Sequence, residues 1–358
     1  MKILHAILGI YPQIGGAENQ AKLLCNKLTK LNLSILVLTR KYKTDNEIQH
    51  NKFNIKRIWP SSGFASRELT GIASFFWLLF HFNKYDVYHV HQCNVLSYFV
   101  MLSGRVTSTP VIVKIANSGC KFDITTLKKR PFGSYMAKSI IKSECHFIAL
   151  SLVIKNELIC CGVSDQRVHI IPNGINVSLP IPSIKKNFVT FVGRLESVKQ
   201  PELIINLALR RRDINFRIVG EGSLKSKLLK IIESKKISNV FVTSSSNMDE
   251  IYTSSSLIIL PSVSEGMSNV LLESISYNLP ILCSDLNVNK VIFQDKYNLV
   301  RFLDPDNIDE WHTAINELYS VNVNEEKPCY SLINYYNIEN VAEQYKNLYQ
   351  DLINQSRK

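Results

Sequence analysis

The sequence predicts an α/β protein made of two parallel-sheet domains. Three observations lead there. Strand-like apolar runs alternate with helical patterns from the N-terminus to about Ile171. A stretch with two prolines and little pattern, 175–187, then breaks the alternation. After it the same alternation starts again at Phe188. A chain of 358 residues can also supply two domains that each bury a core. The expected boundaries are 1–175, 176–337, and a last helical segment at 338–358.

Taken in order, Ile3 to Ile10 is the first buried strand. It opens MKILHAILGIYP, where His5 and the absence of a small-residue cleavage site argue against a secretory signal. Gly15-Gly16-Ala17-Glu18 opens a helix to about Leu31, with Leu23, Leu24 and Leu28 on its apolar face. Strands follow at Leu33–Thr39 and Phe53–Ile58. The apolar run Ile72–Phe82 is too short to span a bilayer and is expected as a core-facing helix over roughly 66–82, with surface membrane contact as the alternative. Asp86–His91 is a strand, a helix reaches Ser103, and Val111–Ile115 and Cys145–Leu150 are strands. A helix over 151–161 stops at Gly162, and Val168–Ile171 runs into the turn Pro172-Asn173-Gly174. In the second half, Phe188–Val192, Phe216–Val219, Val240–Thr243, Leu257–Leu260 and Pro280–Cys283 read as strands with helices between them. Pro201 is expected to start one of those helices. The last helix puts Val341, Tyr345, Leu348, Tyr349 and Leu352 on one face, which must dock somewhere.

Charge is divided unevenly. Residues 1–180 hold 22 Lys and Arg against 9 Asp and Glu; residues 181–358 hold 20 against 21. The first half therefore faces something anionic. Nucleic acid would call for Arg-rich or aromatic reading elements, and none is present. An anionic membrane surface is the expected partner. The eight cysteines include no C-x-x-C and no zinc-ligand spacing, so free thiols in a reducing compartment are expected.

The stretch 262–282, SVSEGMSNVLLESISYNLPIL, concentrates the chemistry. An apolar strand ends at Pro261, and a polar loop leads to a helix. Glu265 lies at the helix entrance and Glu273 eight residues on, about 12 Å along a helix at 1.5 Å per residue. Gly266, Met267, Ser268 and Asn269 between them offer backbone N–H groups at a helix N-terminus, a natural diphosphate cradle. Solvated helix-end glutamates would show the same spacing, so the pattern needs company. Upstream, FVGRLESVKQPE sets Arg194 and Lys199 five apart on a loop after a strand and Gly193, which makes an anion clamp. Gly220-Glu221-Gly222 follows another strand but has Lys225 where a dinucleotide fingerprint needs glycine. Gly15-Gly16 permits close backbone approach at the first strand–helix turn. Asp304-Pro305-Asp306 sits in a proline turn before a helix and reads as a cap region rather than a metal site. His89 and His91 share one face of a strand, with no third ligand evident in the sequence, so satisfied polar residues at the strand's end are expected rather than a metal pair.

Together, E-x7-E at 265–273, G-R-x4-K-x3-L from Gly193 to Leu203 and V-G-E-G at 219–222 resemble the signature of the family-4 retaining glycosyltransferases, also called glycosyl transferases group 1. That resemblance implies the GT-B fold, two Rossmann-like domains facing a cleft, and metal-independent transfer of a hexosyl group with retention. The donor is expected to be a nucleotide-sugar, UDP-linked, acting as co-substrate with no further cofactor. By the resemblance, Arg194 and Lys199 hold the donor diphosphate, Glu265 the sugar hydroxyls and Glu273 the ribose. Gly15, Gly16, Gly193, Glu221 and residues 266–269 line the donor. His91 matches the family's H-x-H at the cleft edge, and the last helix is expected to cross back to the first domain. The family often carries a histidine where this chain has Ala116, so Lys114, Asn117 and Ser118 are candidates for the sugar's outer side. Thr243-Ser244-Ser245 stands where the family has a glycine near the base. The acceptor is expected to be a glycan or lipid-linked sugar in surface polysaccharide assembly, met from the cytoplasmic side as a peripheral membrane protein. A nucleotide-sugar epimerase or a non-catalytic subunit of the same fold are the alternatives.

Overall fold

The computed structural model describes residues 1–356 apart from 11–14, 42–51, 60–65, 178–186, 245–246 and 322–325. The chain forms two compact units. One comprises Met1–Gly174 with Tyr336–Lys358, the other Ile175–Tyr335. Most of the 175–187 stretch lies outside the described residues.

The first unit runs β1 (Lys2–Ile7), α1 (Gly16–Lys30), β2 (Ser34–Arg40), β3 (Asn54–Ile58), α2 (Ser66–Phe80), β4 (Val87–Val90), α3 (Val95–Thr107), β5 (Val111–Ile115), α4 (Asp123–Lys128), α5 (Gly133–Lys142), β6 (His146–Ala149), α6 (Leu152–Cys160) and β7 (Val168–Ile170). The second runs β8 (Phe188–Val192), α7 (Glu202–Arg210), β9 (Asn215–Val219), α8 (Lys225–Ser234), β10 (Val240–Thr243), α9 (Met248–Thr253), β11 (Ser255–Leu260), α10 (Asn269–Ser276), β12 (Ile281–Ser284), α11 (Asn287–Phe293), β13 (Val300–Leu303), α12 (Ile308–Leu318) and α13 (Tyr330–Tyr336). The last helix, α14 (Ile338–Ser356), returns to the first unit.

Every strand pair described is parallel. The first sheet has the order β3-β2-β1-β4-β5-β6-β7 and the second β10-β9-β8-β11-β12-β13. Strands β1, β4, β5, β11 and β12 are buried almost throughout, as strands covered on both faces must be. In each sheet the chain winds outward in both directions from one central pair, β1 and β4 in the first, β8 and β11 in the second. The chain therefore reverses direction at each central pair, and the C-terminal ends of those strands form the switch point of the sheet. This is where open α/β sheets bind ligands.

The cores follow from the patterns. Leu24, Leu28 and the sheet residues Ile3, Val37 and Ile112 join Val341, Ala342, Tyr345, Leu348, Tyr349 and Leu352 of α14 in one buried cluster. In the second unit Phe191, Phe216, Ile259, Leu207 and Trp311 form the other. Gly174 passes so close to α14 that a Cβ there would lie 2.5 Å from the Ile338 side chain.

Two expectations need correction. The run Ile72–Phe82 is helical to Phe80, but of its large residues only Leu78 is fully buried, while Phe75, Trp77 and Leu79 are half-buried. The buried positions of α2 are Ser66, Thr70, Gly71, Ser74 and Leu78. Leu69, Ile72, Phe76 and Phe80 are exposed. The reason is close packing on α3: a Cβ at Gly71 would lie 2.4 Å from the Phe99 ring, so no side chain fits at that position. Thr70 and Ser74 donate their hydroxyls to carbonyls one turn back and can be buried without loss. The second correction concerns the histidines. His5 on β1 lies beside His89 and His91, so a third imidazole is present. Helices α4 and α5 and strand β13 carry too few periodic residues to be read from sequence; the apolar stripe of α5 is only Ala137, Ile140 and Ile141.

Candidate active site

In the second unit the predicted residues lie on the loops after β8, β9 and β11 and on helix α10. The loop after β8 holds Gly193 and Arg194, then a 3-10 turn at Ser197–Lys199. The loop after β11 holds Glu265. The two loops are tied by Val263 N–H to the Val198 carbonyl at 3.0 Å and by an ion pair between Lys199 and Glu265. The side chains of that pair are 15% and 8% exposed, so their charges interact through a weakly screened medium. Arg194, on the same loop as Lys199, is exposed. Helix α10 starts two residues after Met267, with Ser268 as cap; Ser268 makes no side-chain cap bond and no acidic residue stands in the first turn. Gly266, Met267 and Ser268 are buried and Asn269 half-buried.

The Gly220-Glu221-Gly222 turn shapes this place indirectly. A Cβ on Gly220 would lie 1.9 Å from the Gly193 carbonyl, and one on Gly222 2.4 Å from the Leu195 carbonyl. The glycines let the loop after β9 lie flat on the Arg194 loop, where Leu195 N–H bonds Glu221 O at 2.8 Å and Leu224 N–H bonds Leu195 O at 2.9 Å. The Glu221 carboxylate itself is exposed and accepts from Lys225 at 2.6 Å and from Ser244. Ser245 lies outside the described residues.

Glu273 sits one face further along α10. Its carboxylate accepts from the Tyr252 hydroxyl at 2.5 Å. Burial raises its pKa, while the tyrosine bond opposes that shift. Tyr252 stacks on Tyr277 at 5.1 Å between ring centres and belongs to α9, a six-residue helix. Sequence reasoning missed Tyr252, because one tyrosine in a short helix carries no spacing signal toward Glu273.

In the first unit Gly15 caps α1 after β1, and Gly16 is its first residue. Gln20 clasps Gly174, donating to its carbonyl at 2.9 Å and accepting from its N–H at 3.2 Å. His91 follows β4, buried, and shares a 2.8 Å hydrogen bond with His5 Nδ1. His89 stacks on His91 at 4.5 Å and bonds the Tyr349 hydroxyl of α14 at 2.7 Å. Burial holds all three imidazoles far below their ordinary pKa, so they are neutral. Lys114 is buried too, donates to Asn173 at 2.9 Å, and has its pKa lowered by burial to about 7. Asn117 donates to Asp123 at 2.8 Å, and Ala116 N–H bonds the other oxygen of that carboxylate at 2.9 Å. Asn117 therefore holds the loop after β5 in shape, and Lys114 ties β5 to the turn at Asn173; Ser118 is buried.

The D-x-D sequence forms a turn before α12. Asp304 accepts from the Asp306 N–H at 3.0 Å, and its carbonyl accepts from Trp311 at 2.7 Å. All eight cysteines are free.

Comparison with known proteins gives the class. The family model described as Glycosyltransferase Family 4 matches residues 14–179, and that of Glycosyl transferases group 1 matches residues 180–335. The HepE protein of Anabaena in complex with UDP-glucose superposes with a TM-score of 0.77 at 14% identity, covering 98% of this chain and 100% of that one. Two parallel-sheet units with such a neighbour define the GT-B fold. The chain belongs to the group 1 glycosyltransferases and is a transferase enzyme. Among similar sequences, an uncharacterised glycosyltransferase of Methanocaldococcus jannaschii is 25% identical over 305 residues, 83% of each chain. The Escherichia coli UDP-Gal:α-D-GlcNAc-diphosphoundecaprenol α-1,3-galactosyltransferase is 24% identical over 298 residues, 75% of this chain and 76% of its own.

Proposed function

We propose that this enzyme transfers a hexosyl group from a UDP-sugar to a sugar carried on a lipid diphosphate, with retention at the anomeric carbon and without a metal ion. One observation carries the reading: an ion pair between Lys199 and Glu265 ties the loop that carries Arg194, after β8, to the loop that leads into α10, after β11, at the C-terminal ends of the two central strands. Two cations and a helix N-terminus suit a diphosphate. As the glycosyl bond breaks, charge builds on the leaving nucleoside diphosphate. Arg194 would take two of its oxygens. Lys199 has three N–H donors and can hold a phosphate oxygen while still bonded to Glu265. Glu265 would accept from the sugar hydroxyls and Glu273, set by Tyr252, from the ribose. The first unit would hold the acceptor at the C-terminal ends of β1 and β4, beside Gly15, Gly16 and His91.

The lipid-borne acceptor is supported by the Escherichia coli relative, which acts on a diphosphoundecaprenol sugar. It is also supported by charge. The first unit holds 25 Lys and Arg against 12 Asp and Glu, and the second 17 against 18. No helix among the described residues is long and apolar enough to cross a membrane, so contact with an inner-leaflet acceptor would be peripheral.

The test is a panel of UDP-hexoses offered with an undecaprenyl-diphosphate sugar, following UDP release and the product's anomeric configuration by NMR. An α-linked product from an α-donor is expected. An inverted product, or an epimerised free donor with no transfer, would overturn the assignment. Turnover should persist in excess EDTA, because Arg194 and Lys199 would neutralise the diphosphate; a strict need for Mg2+ or Mn2+ would remove the metal-free clamp.

A further inference from the structure

The helix α2 is inside out. The buried face consists of Ser66, Thr70, Gly71, Ser74 and Leu78, and Leu69, Ile72, Phe76 and Phe80 project outward at spacings of three, four and four residues, one stripe of a helix. Phe76 is 54% exposed and Phe80 81%. The stripe extends over most of a 15-residue helix, about 22 Å at 1.5 Å per residue. Scattered apolar side chains on a surface need no explanation, but a continuous aromatic stripe does.

A second feature adjoins it. Between α4 and α5 the chain turns through Phe132, which adopts a left-handed conformation (φ 56°) and is 82% exposed. The turn is forced tight: a Cβ on the next residue, Gly133, would lie 1.9 Å from the Leu127 carbonyl. Phe132 follows the exposed basic run Lys128, Lys129 and Arg130. Arg130 reaches Glu68 at the start of α2, at 3.8 Å, which places the basic turn beside the stripe.

We propose that the stripe of α2 and the Phe132 turn form a docking surface for an anionic lipid bilayer. Apolar side chains on a surface helix, flanked by clustered cations, are what an interfacial helix needs: the rings enter the acyl boundary while lysine and arginine meet the phosphates. The charge decides between a bilayer and a second copy of the chain. Pairing this face with itself would bring two basic clusters together within a unit that already carries a large positive excess; anionic headgroups neutralise it. The purpose of docking rests on the lipid-borne acceptor proposed above, but the surface can be tested without donor or acceptor.

The experiment is flotation of the full chain with vesicles of phosphatidylglycerol and phosphatidylcholine, and with phosphatidylcholine alone. The wild type should bind the anionic vesicles at least tenfold more tightly than the neutral ones and be released by salt. Phe76→Ser with Phe80→Ser should weaken anionic-vesicle binding at least tenfold, and so should Lys128→Glu with Lys129→Glu. Phe80→Trp should bind, and its fluorescence should be quenched by brominated acyl chains. The substituted side chains are exposed, so circular dichroism should match the wild type. Absence of wild-type binding, or binding unaffected by the serine pair, would overturn the proposal. So would a dimer in solution that the serine pair converts to monomer, since that would make the face an interface between copies. Transfer to a short water-soluble acceptor, measured separately, should be unchanged in the serine pair; its loss in the wild type would count against the proposed reaction and leave the docking result standing.

Discussion

At the scale of single residues, the clamp residues differ in how cleanly they can be tested. Arg194 is exposed, so Arg194→Ala should fold normally and lower turnover by roughly two to three orders of magnitude, the usual cost of one group that stabilises developing charge. Near-normal UDP release from a steady-state assay would remove Arg194 from the clamp. Lys199→Ala should lower turnover comparably but also lower the melting temperature, because it removes the cation paired with the Glu265 carboxylate, which is 8% exposed. Glu265→Gln added to that variant should recover much of the stability and none of the activity. Tyr252 should act on binding. Tyr252→Phe removes the hydroxyl that bonds Glu273, and a hydrogen bond to a charged group is worth about 1.5–3 kcal/mol. The donor KM is expected to rise about tenfold with kcat little changed, since Glu273 would meet the ribose and not the reacting carbon. An unchanged KM would sever Glu273 from the nucleotide.

At the scale of elements, the two loops after β8 and β9 behave as one part. Gly222→Ala would put a Cβ 2.4 Å from the Leu195 carbonyl and force the loops apart. The expected outcome is a large loss of donor-induced thermal stabilisation with the fold of the second unit retained, because Gly222 lies outside the sheet. A full thermal shift with UDP in this variant would show that the loop contact is dispensable. These glycines explain why a G-x-G sequence here is no dinucleotide fingerprint: their close approach is to another loop. The element that sequence reasoning misplaced is α2. Its apolar residues are periodic, and periodicity names a face without saying whether protein or something else covers it.

At the scale of the molecule, buried titratable groups set the response to acid. His5, His89, His91, His146 and His169 all have pKa values lowered mainly by burial, to about 3 for His5 and about 4 for His146. Each takes up a proton on unfolding once the pH falls below about 6.5, so each withdraws stability there, by up to about 1.4 kcal/mol per pH unit. Asp123, raised by burial to about 6, and Glu273, also raised, work the other way, because the folded state holds their protons more tightly. Glu157, raised by burial, acts in the same sense, and five histidines outweigh three carboxylates. Stability should therefore fall as the pH drops from about 6.5 toward 5, with a net uptake of protons on unfolding. Scanning calorimetry in buffers of different ionisation enthalpy reads both quantities; a melting temperature that stays level or rises between pH 7 and 5 would contradict it.

What the sequence determined by itself is local. Alternating apolar runs, proline and glycine punctuation, and the motifs around Arg194, Lys199, Glu265 and Glu273 depend on neighbours within about ten residues, and the parallel α/β class and the glycosyltransferase family follow from them. The tertiary structure decided what depends on distant partners. His5 joins His89 only because β1 and β4 pair across 84 positions of chain. Tyr252 reaches Glu273 from another helix, Lys114 is turned inward onto Asn173, and Glu265 is bound to a lysine 66 residues away. The direction faced by the aromatic stripe of α2 was settled by Gly71, whose missing side chain admits α3 on the opposite side. A pattern along the chain records which residues share a face; packing alone decides which face is inside.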